Sequence, residues 1–503
     1  MAATAEEPPQ PYRELLEEYR RVSNLSAVTG LLSWDQQVMM PDDGNPARSQ
    51  QLSTLSGLKH ELLTDDSIAD ALDAVDEGSL TDQQRAVVRE IRREHDRAAA
   101  VPQNLVETLS AKSSEALEIW ESAKADADFS QFAPILEELV ELRREYAEHI
   151  DPDREPYAVL FEDYEPYLGL ETAERVLTRL RDELVPMIDD IGDSDVTLPR
   201  PFEDGTYSED AQEDLSREIL STIGYDWDRG RLDTSSHPFT SGNQFDCRVT
   251  TRFLEDDPLS ALTATIHEFG HAFYNLGLPQ DEYGTPLGSS RNLSVHESQS
   301  RLWENHVGRS RPFWELIAED VRESFDGVED VDGETFYRAA NRVYDDNLIR
   351  VDADELTYHM HIVVRFEIER DLVNGDLEVE DVPDVWNDKY EQYLGIRPEN
   401  DAEGVLQDIH WSHGNFGYFP TYTLGSVMAA QLYAAAEDEL GDLDADVRDG
   451  EFDRLGEWLR ENVHRHGARY ETDELVEEAT GESYTADYFL EYVTEKYGRL
   501  YEL

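Results

Sequence analysis

Apolar residues return every third or fourth position over Tyr12–Met40, Arg48–Leu63, Thr81–Ala99, Asn104–Ala123, Phe129–His149 and Glu171–Ile191. That period places them on one face of a helix, and each such face must be buried against a neighbour. The front of the chain is therefore expected to be a helical layer, punctuated by breakers such as Pro41-Asp42-Asp43-Gly44 and Val101-Pro102. After the interrupted stretch Thr197-Leu198-Pro199-Arg200-Pro201 the texture changes. Asn243–Leu254 alternates and is rich in β-branched and aromatic residues, which reads as a strand, and Gly288–Val295 reads as a second. Helical spacing then resumes over Phe313–Ser324, Asp354–Asp371, Val382–Leu394, Tyr422–Glu439, Phe452–Arg465 and Ala486–Gly498. We expect a mostly α protein, one unit over 1–503. A mainly helical front part (1–205) would precede a part (206–503) with one small β-sheet beside the central helices. The front part suits a lid over a cleft and a scaffold or dimer surface equally well.

One central helix carries chemistry. Asp257 suits an N-cap and Pro258 the first helical position, while Gly277 and Pro279 end the helix. Inside it lies His267-Glu268-Phe269-Gly270-His271. At about 100° per residue the two histidines stand about 40° apart, one turn along the same face. Two imidazoles so placed can share one tetrahedral Zn²⁺. Glu268 projects about 60° from His271, within reach of an activated water as general base. A zinc hydrolase needs a third protein ligand. Glu297, in Ser294-Val295-His296-Glu297-Ser298-Gln299, opens the next helical pattern and is the best candidate. Ser294-x-x-Glu297 also reads as a capping box, in which Glu297 would only satisfy a backbone N–H; the spacing leaves both open. The alternating His359-Met360-His361 and His464-Arg465-His466 are not credible metal sites; single histidines on helices are solvated or core.

Further motifs follow in order: His237-Pro238-Phe239, Asp246-Cys247-Arg248-Val249-Thr250, the H-E-x-x-H run, His296-Glu297-Ser298-Gln299, Ile349-Arg350-Val351-Asp352-Ala353-Asp354, and Gly404-Val405-Leu406-Gln407-Asp408-Ile409-His410-Trp411. With these six, the chain resembles the carboxypeptidase Taq family of zinc metallocarboxypeptidases over nearly its whole length. The resemblance implies a helical saddle with a deep cleft, a homodimer, and a metal-dependent carboxypeptidase. Such an enzyme releases single C-terminal residues from peptides with broad specificity. Carried over by motif, His267, His271 and Glu297 would bind Zn²⁺ (Co²⁺ possible) and Glu268 would be the catalytic base.

A carboxypeptidase must recognise a terminal carboxylate, and a planar guanidinium does so bidentately. Arg350, just before an Asp352-x-x-Glu355 helix start, is the arginine that the I-R-x-x-A-D match favours. His410 lies in a Gly-rich stretch resembling the superfamily's substrate-covering loop, where imidazole and phenol can hydrogen-bond a developing oxyanion. Tyr422, with Tyr418 as the alternative, would be the phenol. Asp246, Arg248 and His237 either shape the sheet wall or touch substrate. An oligopeptidase or dipeptidyl carboxypeptidase of the same superfamily would share the zinc site. A non-catalytic peptide-binding protein would have no need of Glu268.

Charge bounds the remaining choices. The chain carries 43 Lys+Arg against 112 Asp+Glu, a net charge of −69. So negative a chain offers no basic surface for nucleic acid or for anionic membranes. Disorder is excluded by 8 Trp, 24 Tyr and 17 Phe spread along the length, with acids falling between apolar residues at helical spacing. Lysine occurs only at Lys59, Lys112, Lys124, Lys389 and Lys496. Lysine scarcity beside carboxylate excess is expected of a halophilic protein, because at about 1 M salt the Debye length is only about 3 Å and self-repulsion is screened. The single Cys247, the lack of 18 consecutive apolar residues and an N-terminus without a basic or apolar leader lead us to expect a soluble cytoplasmic protein. The protein should be folded and active in molar KCl or NaCl and lose helical circular dichroism in dilute buffer. Equal stability at about 0.05 M and 2 M salt would reject the halophilic reading.

Overall fold

The computed structural model describes residues 8–203, 205–344 and 347–503; the first seven residues of the N-terminal segment lie outside them. The front helices are α1 (Gln10–Val38), α2 (Asn45–Leu63), α3 (Asp66–Ala74), α4 (Asp82–Ala100), α5 (Gln103–Asp126), α6 (Ala133–Ile150), α7 (Pro156–Tyr164), α8 (Leu170–Gly192) and α9 (Glu209–Thr222). A three-stranded sheet follows: β1 (Gly230–Thr234), β2 (Thr240–Gly242) and β3 (Cys247–Thr251). Then come α10 (Pro258–Gly277), α11 (Leu293–Arg301), α12 (Arg311–Ser324), α13 (Gly333–Ala340), α14 (Tyr358–Asn374) and α15 (Val382–Leu394). The C-terminal helices are α16 (Pro420–Leu440), α17 (Leu443–Asp449), α18 (Asp453–Asn462), α19 (Thr472–Thr480) and α20 (Asp487–Tyr501). The fold is the mostly α one expected, with one small sheet beside α10.

Most buried side chains between Ala116 and Tyr501 form one continuous core. A smaller core joins α1, α3 and α4 through Tyr12, Leu15, Ile68, Leu72, Val87 and Ile91, and Leu287 reaches it from the second half of the chain. Strand β3 is the centre of the sheet, parallel to β1 with Gly230 opposite Cys247, and antiparallel to β2 with Thr240 opposite Val249. Side chains alternate along a strand. Cys247 and Val249 are fully buried, with Asn275 of α10 donating to the Cys247 sulfur, while Arg248 takes the other face.

Two glycines let the central helices touch. A Cβ on Gly270 of α10 would lie 2.4 Å from the Gln299 carbonyl oxygen of α11. One on Gly425 of α16 would lie 2.5 Å from Cβ and Cγ of Glu297. Helix α11 is thus clamped between α10 and α16 with backbone nearly against backbone.

Two strand expectations change. Only Cys247–Thr251 of the Asn243–Leu254 stretch is β3, because Asn243–Asp246 forms the tight turn from β2, with the Asn243 N–H donating to the Asp246 carbonyl. Gly288–Val295 is not a strand. It is the end of a 3₁₀ turn and the capped start of α11, where the Asn292 side chain accepts from the Val295 N–H. The alternating polar residues there are buried hydrogen-bonding groups: Arg291 pairs with Glu90, and the Ser294 N–H and hydroxyl both donate to Glu165. Helix α14 starts at Tyr358, not at Asp352, because Asp354 accepts from the Leu356 and Thr357 N–H groups; Arg350 lies in a separate 3₁₀ turn.

Candidate functional site

Asp257 caps α10 by accepting from the Ser260 N–H, and Pro258 starts it. Helical periodicity then stacks His267 and His271, their ring centroids 4.9 Å apart. Glu297 enters from α11, its Oε2 3.8 Å from His267 Nε2 and 3.4 Å from His271 Nε2. Donor atoms of the three lie within 4.8 Å of one another. Donors around a tetrahedral ion at about 2.1 Å stand roughly 3.4 Å apart, so the set fits a borderline divalent metal with a fourth position open. The capping-box reading of Glu297 fails, because Asn292 is the cap and Ser294 is engaged with Glu165.

Each histidine is aimed by a partner on its other nitrogen. His267 Nδ1 donates to Glu304 Oε2 at 2.8 Å. His271 Nδ1 lies 3.0 Å from the His296 carbonyl and 2.6 Å from His296 Nδ1. His296 Nε2 faces Asn275 Oδ1 at 3.2 Å, which places the His296 proton there and leaves Nδ1 an acceptor. Burial and the adjoining His271 push the His296 pKa well down and keep its ring neutral. Glu304 sits in a π-helical run, Leu302–Gly308, that continues α11. Arg301 bridges the two acids, donating through Nε to Glu297 at 2.7 Å and through Nη1 to Glu304 at 3.1 Å. Burial alone would raise both carboxyl pKa values; Arg301 outweighs it, with His267 helping, and holds both well below the usual range. Glu268 is 6% exposed, and the Thr240 hydroxyl of β2 donates to its Oε2 at 2.8 Å.

A second group gathers beside the first. Arg350 Nε and Nη2 donate to Asp408 Oδ1 at 2.9 and 2.8 Å, and Nη1 to the Tyr358 hydroxyl at 3.0 Å. Arg365 Nε, fully buried, takes Asp408 Oδ2 at 2.6 Å. Gln407 Oε1 accepts from the Arg350 N–H and from Arg365 Nη2. Burial would push the Asp408 carboxyl up; the two guanidiniums outweigh it and hold it far below the usual range. The Arg350 guanidinium lies 5.3 Å from the Tyr422 ring. His410 packs on Phe419 at 4.4 Å and Tyr418 at 5.4 Å, with Tyr422 at 6.5 Å. Burial pushes the His410 pKa down to about 4, so its ring is neutral at pH 7, and its Nδ1 has no hydrogen-bond partner among the described residues. The groups meet at Tyr358, whose ring lies 4.7 Å from the Arg301 guanidinium.

Residues 14–497 match the model of the carboxypeptidase Taq (M32) metallopeptidase family. This chain belongs to that family. Thermostable carboxypeptidase 1 of Thermus thermophilus is 40% identical over 508 residues, covering 98% of this chain and 99% of its own. An M32 carboxypeptidase from Deinococcus radiodurans has the same fold at a TM-score of 0.95 and 38% identity, covering 98% of this chain and 100% of that one. Trypanosoma cruzi metallocarboxypeptidase 1 follows with a TM-score of 0.94 and 34% identity, over 97% and 99%. The protein is a metallocarboxypeptidase whose substrates are peptides.

In this metallocarboxypeptidase the remaining candidates sit apart. Arg248 is paired bidentately with Asp246 at 3.0 and 2.7 Å, and its guanidinium stacks 4.1 Å from Trp34 of α1. His237 is exposed on the β1–β2 loop, where its carbonyl accepts from Ser235. Neither touches the metal triad or the Arg350 group among the described residues. His359, His361 and His464 are buried on Thr423, Tyr390 and Gln299 and join no metal-holding group among the described residues. Sequence reasoning missed Thr240, Glu304, Arg365 and Tyr358. Gln407 and Asp408 stand in a motif whose spacing assigns neither of them a role. Only the Asp-x-His spacing of Asp408 and His410 could have hinted at one.

No helix among the described residues is long and apolar enough to cross a membrane. Asp408→Asn should destabilise the fold by about 3–5 kcal/mol, because it leaves two buried guanidiniums without their shared carboxylate. Urea unfolding checks this; a change under about 1 kcal/mol would mean the charges are not coupled.

Proposed function

We propose that this metallocarboxypeptidase removes single residues from free peptide C-termini with broad side-chain preference, with His267, His271 and Glu297 holding Zn²⁺ or Co²⁺. When bound, the metal polarises the scissile carbonyl and activates a water. Glu268 takes the proton of the attacking water and delivers it to the leaving amine, with the Thr240 hydroxyl fixing its carboxylate. His410, neutral at pH 7, and the phenol of Tyr422 or Tyr418 hydrogen-bond the developing oxyanion.

One observation carries the exopeptidase reading. A guanidinium has five N–H donors, and among the described residues Arg350 uses three, two on Asp408 and one on Tyr358. Two remain, one on each terminal nitrogen, in the fork that matches a carboxylate. The group is also electropositive: two guanidiniums share one carboxylate. A terminal carboxylate anchored there sets the last peptide bond at the metal site. Asp246, Arg248 and His237 then serve as the sheet wall on which the front part rests, tied to α1 by the Arg248–Trp34 contact. We further read the protein as one unit over 1–503, with 1–205 as front part, and as a halophilic cytoplasmic homodimer without nucleic-acid or membrane partners. The family resemblance, the charge of −69 and the lone Cys247 support these points.

Glu268→Gln should keep about one metal per chain by elemental analysis and lose roughly 10²–10⁴-fold or more in turnover. Retention of more than about a tenth of the rate would remove Glu268 as the base. An amidated peptide with the wild type, and a free-acid peptide with Arg350→Leu, should each lose about 30- to 1000-fold in kcat/KM. Combining the two changes should add little, since each removes the same contact. Mass spectrometry of products in molar salt decides the class. Internal cleavage of the amidated peptide would point to an oligopeptidase, and release of pairs of residues to a dipeptidyl carboxypeptidase.

A further inference from the structure

Tyr358, the first residue of α14, stands between the metal group and the Arg350 group and has no role in the scheme above. It is 8% exposed. One guanidinium, that of Arg301, lies 4.7 Å from its ring centroid, and the Tyr422 ring is edge-on at 6.1 Å. Its hydroxyl oxygen accepts a hydrogen bond from Arg350 Nη1 at 3.0 Å. A phenol has one proton to donate as well as lone pairs to offer. Among the described residues the hydroxyl of Tyr358 donates to nothing. A mostly buried donor left unpaired is unfavourable, so such a proton is expected to find an acceptor when the site is filled. The two charged groups beside it, Arg301 and Arg350, offer no acceptor. A substrate group can supply the acceptor, and the two guanidiniums select an anion.

We infer that Tyr358 is a specificity-determining residue: its hydroxyl donates to the substrate's terminal carboxylate while the free fork of Arg350 takes the same group. This deepens the exopeptidase reading and rests on it. No proton is transferred in this contact. The Arg350 bond to the phenol oxygen polarises the O–H and strengthens its donation. It also fixes the hydroxyl beside the open edge of the guanidinium, so a carboxylate meets donors already in place.

The test is Tyr358→Phe, which removes one oxygen from a ring that keeps its packing. Wild type and variant are compared on one peptide as free acid and as C-terminal amide, in molar salt, with metal content and circular dichroism measured on both. The variant should bind metal normally and keep its slow rate on the amide. On the free acid kcat/KM should fall about 10- to 100-fold, mainly through KM, so the acid-to-amide preference shrinks by that factor. If the wild type cleaves acid and amide equally well, the exopeptidase reading fails and this inference with it. If the wild type discriminates and the variant keeps that preference within about twofold, the inference alone is overturned. An equal loss on acid and amide also overturns it, since the phenol would then serve the reaction and not the carboxylate. Inhibition by an N-blocked amino acid, which needs no turnover, should weaken by the same factor, and an unchanged inhibition constant would reject the contact.

Discussion

The site depends on one arginine held between two carboxylates. Arg301 joins Glu297 to Glu304, so the α11 residue facing the histidines and the carboxylate behind His267 move as a unit. Helical periodicity alone sets Glu297, Arg301 and Glu304 within a hundred degrees of one another, and the π-helical run after Arg301 turns the last of them toward His267. The acids stay ionised because Arg301, and for Glu304 also Arg309, outweigh burial. Divalent-metal ligands must be deprotonated, and Glu297 meets that condition before any ion arrives. Gly270 and Gly425 make the arrangement possible. A methyl group at either would drive α11 away from α10 or from α16 by more than the spread of ligand distances a metal tolerates.

The second physical theme is local charge against global charge. The chain is strongly acidic, yet Arg350 and Arg365 share the single carboxylate of Asp408. Screening in salt reduces the long-range repulsion of a substrate carboxylate but acts much less on buried neighbours. Surface acidity and the recognition of an anionic terminus are therefore compatible. The surface acts over distances that salt shortens, and the arginine group acts at contact.

How much could be read in advance follows from whether a signal was local. The H-E-x-x-H run was legible because its own caps, Asp257 with Pro258 and the Gly277 end, fix the helix that displays it. Glu297 stayed ambiguous because Ser294 three residues earlier imitates a cap. Its true partner, Glu165, is 129 positions away and invisible to any spacing rule. The same cause hid the second layer. Glu304 needs a π-helical turn, which no periodicity template anticipates. Thr240 lies on a three-residue strand too short to alternate. The supposed strand at Gly288–Val295 failed because buried hydrogen-bonding side chains mimic polar alternation. Arg350 and Asp408 stood in separate motifs 58 residues apart, and only the fold joins them.

Two buried acids, one just beyond α7 and one on α14, help hold the site. Glu165, just beyond α7, accepts from Asn292 and Ser294 at the start of α11. Glu369 of α14 accepts from the Trp411 indole and the Gly417 N–H, fixing the loop that carries His410. Neither has a cation in direct contact among the described residues, and burial pushes each up to about 8. A carboxyl whose folded pKa lies above its unfolded value stabilises the fold fully below that unfolded value. The contribution is lost as pH rises through the folded pKa. The net stability contribution of these two groups is thus fully present in acid and is lost above about pH 8, where the buried charge must be carried, whereas the pairs of Glu297, Glu304 and Asp408, held below their ordinary range, are complete at neutral pH and weaken only in acid. The carboxylates of Glu297, Glu304 and Asp408 are therefore ionised in the neutral window where burial still favours the protonated forms of Glu165 and Glu369. The scaffold and the chemistry of this site draw on carboxyl groups of opposite electrostatic character.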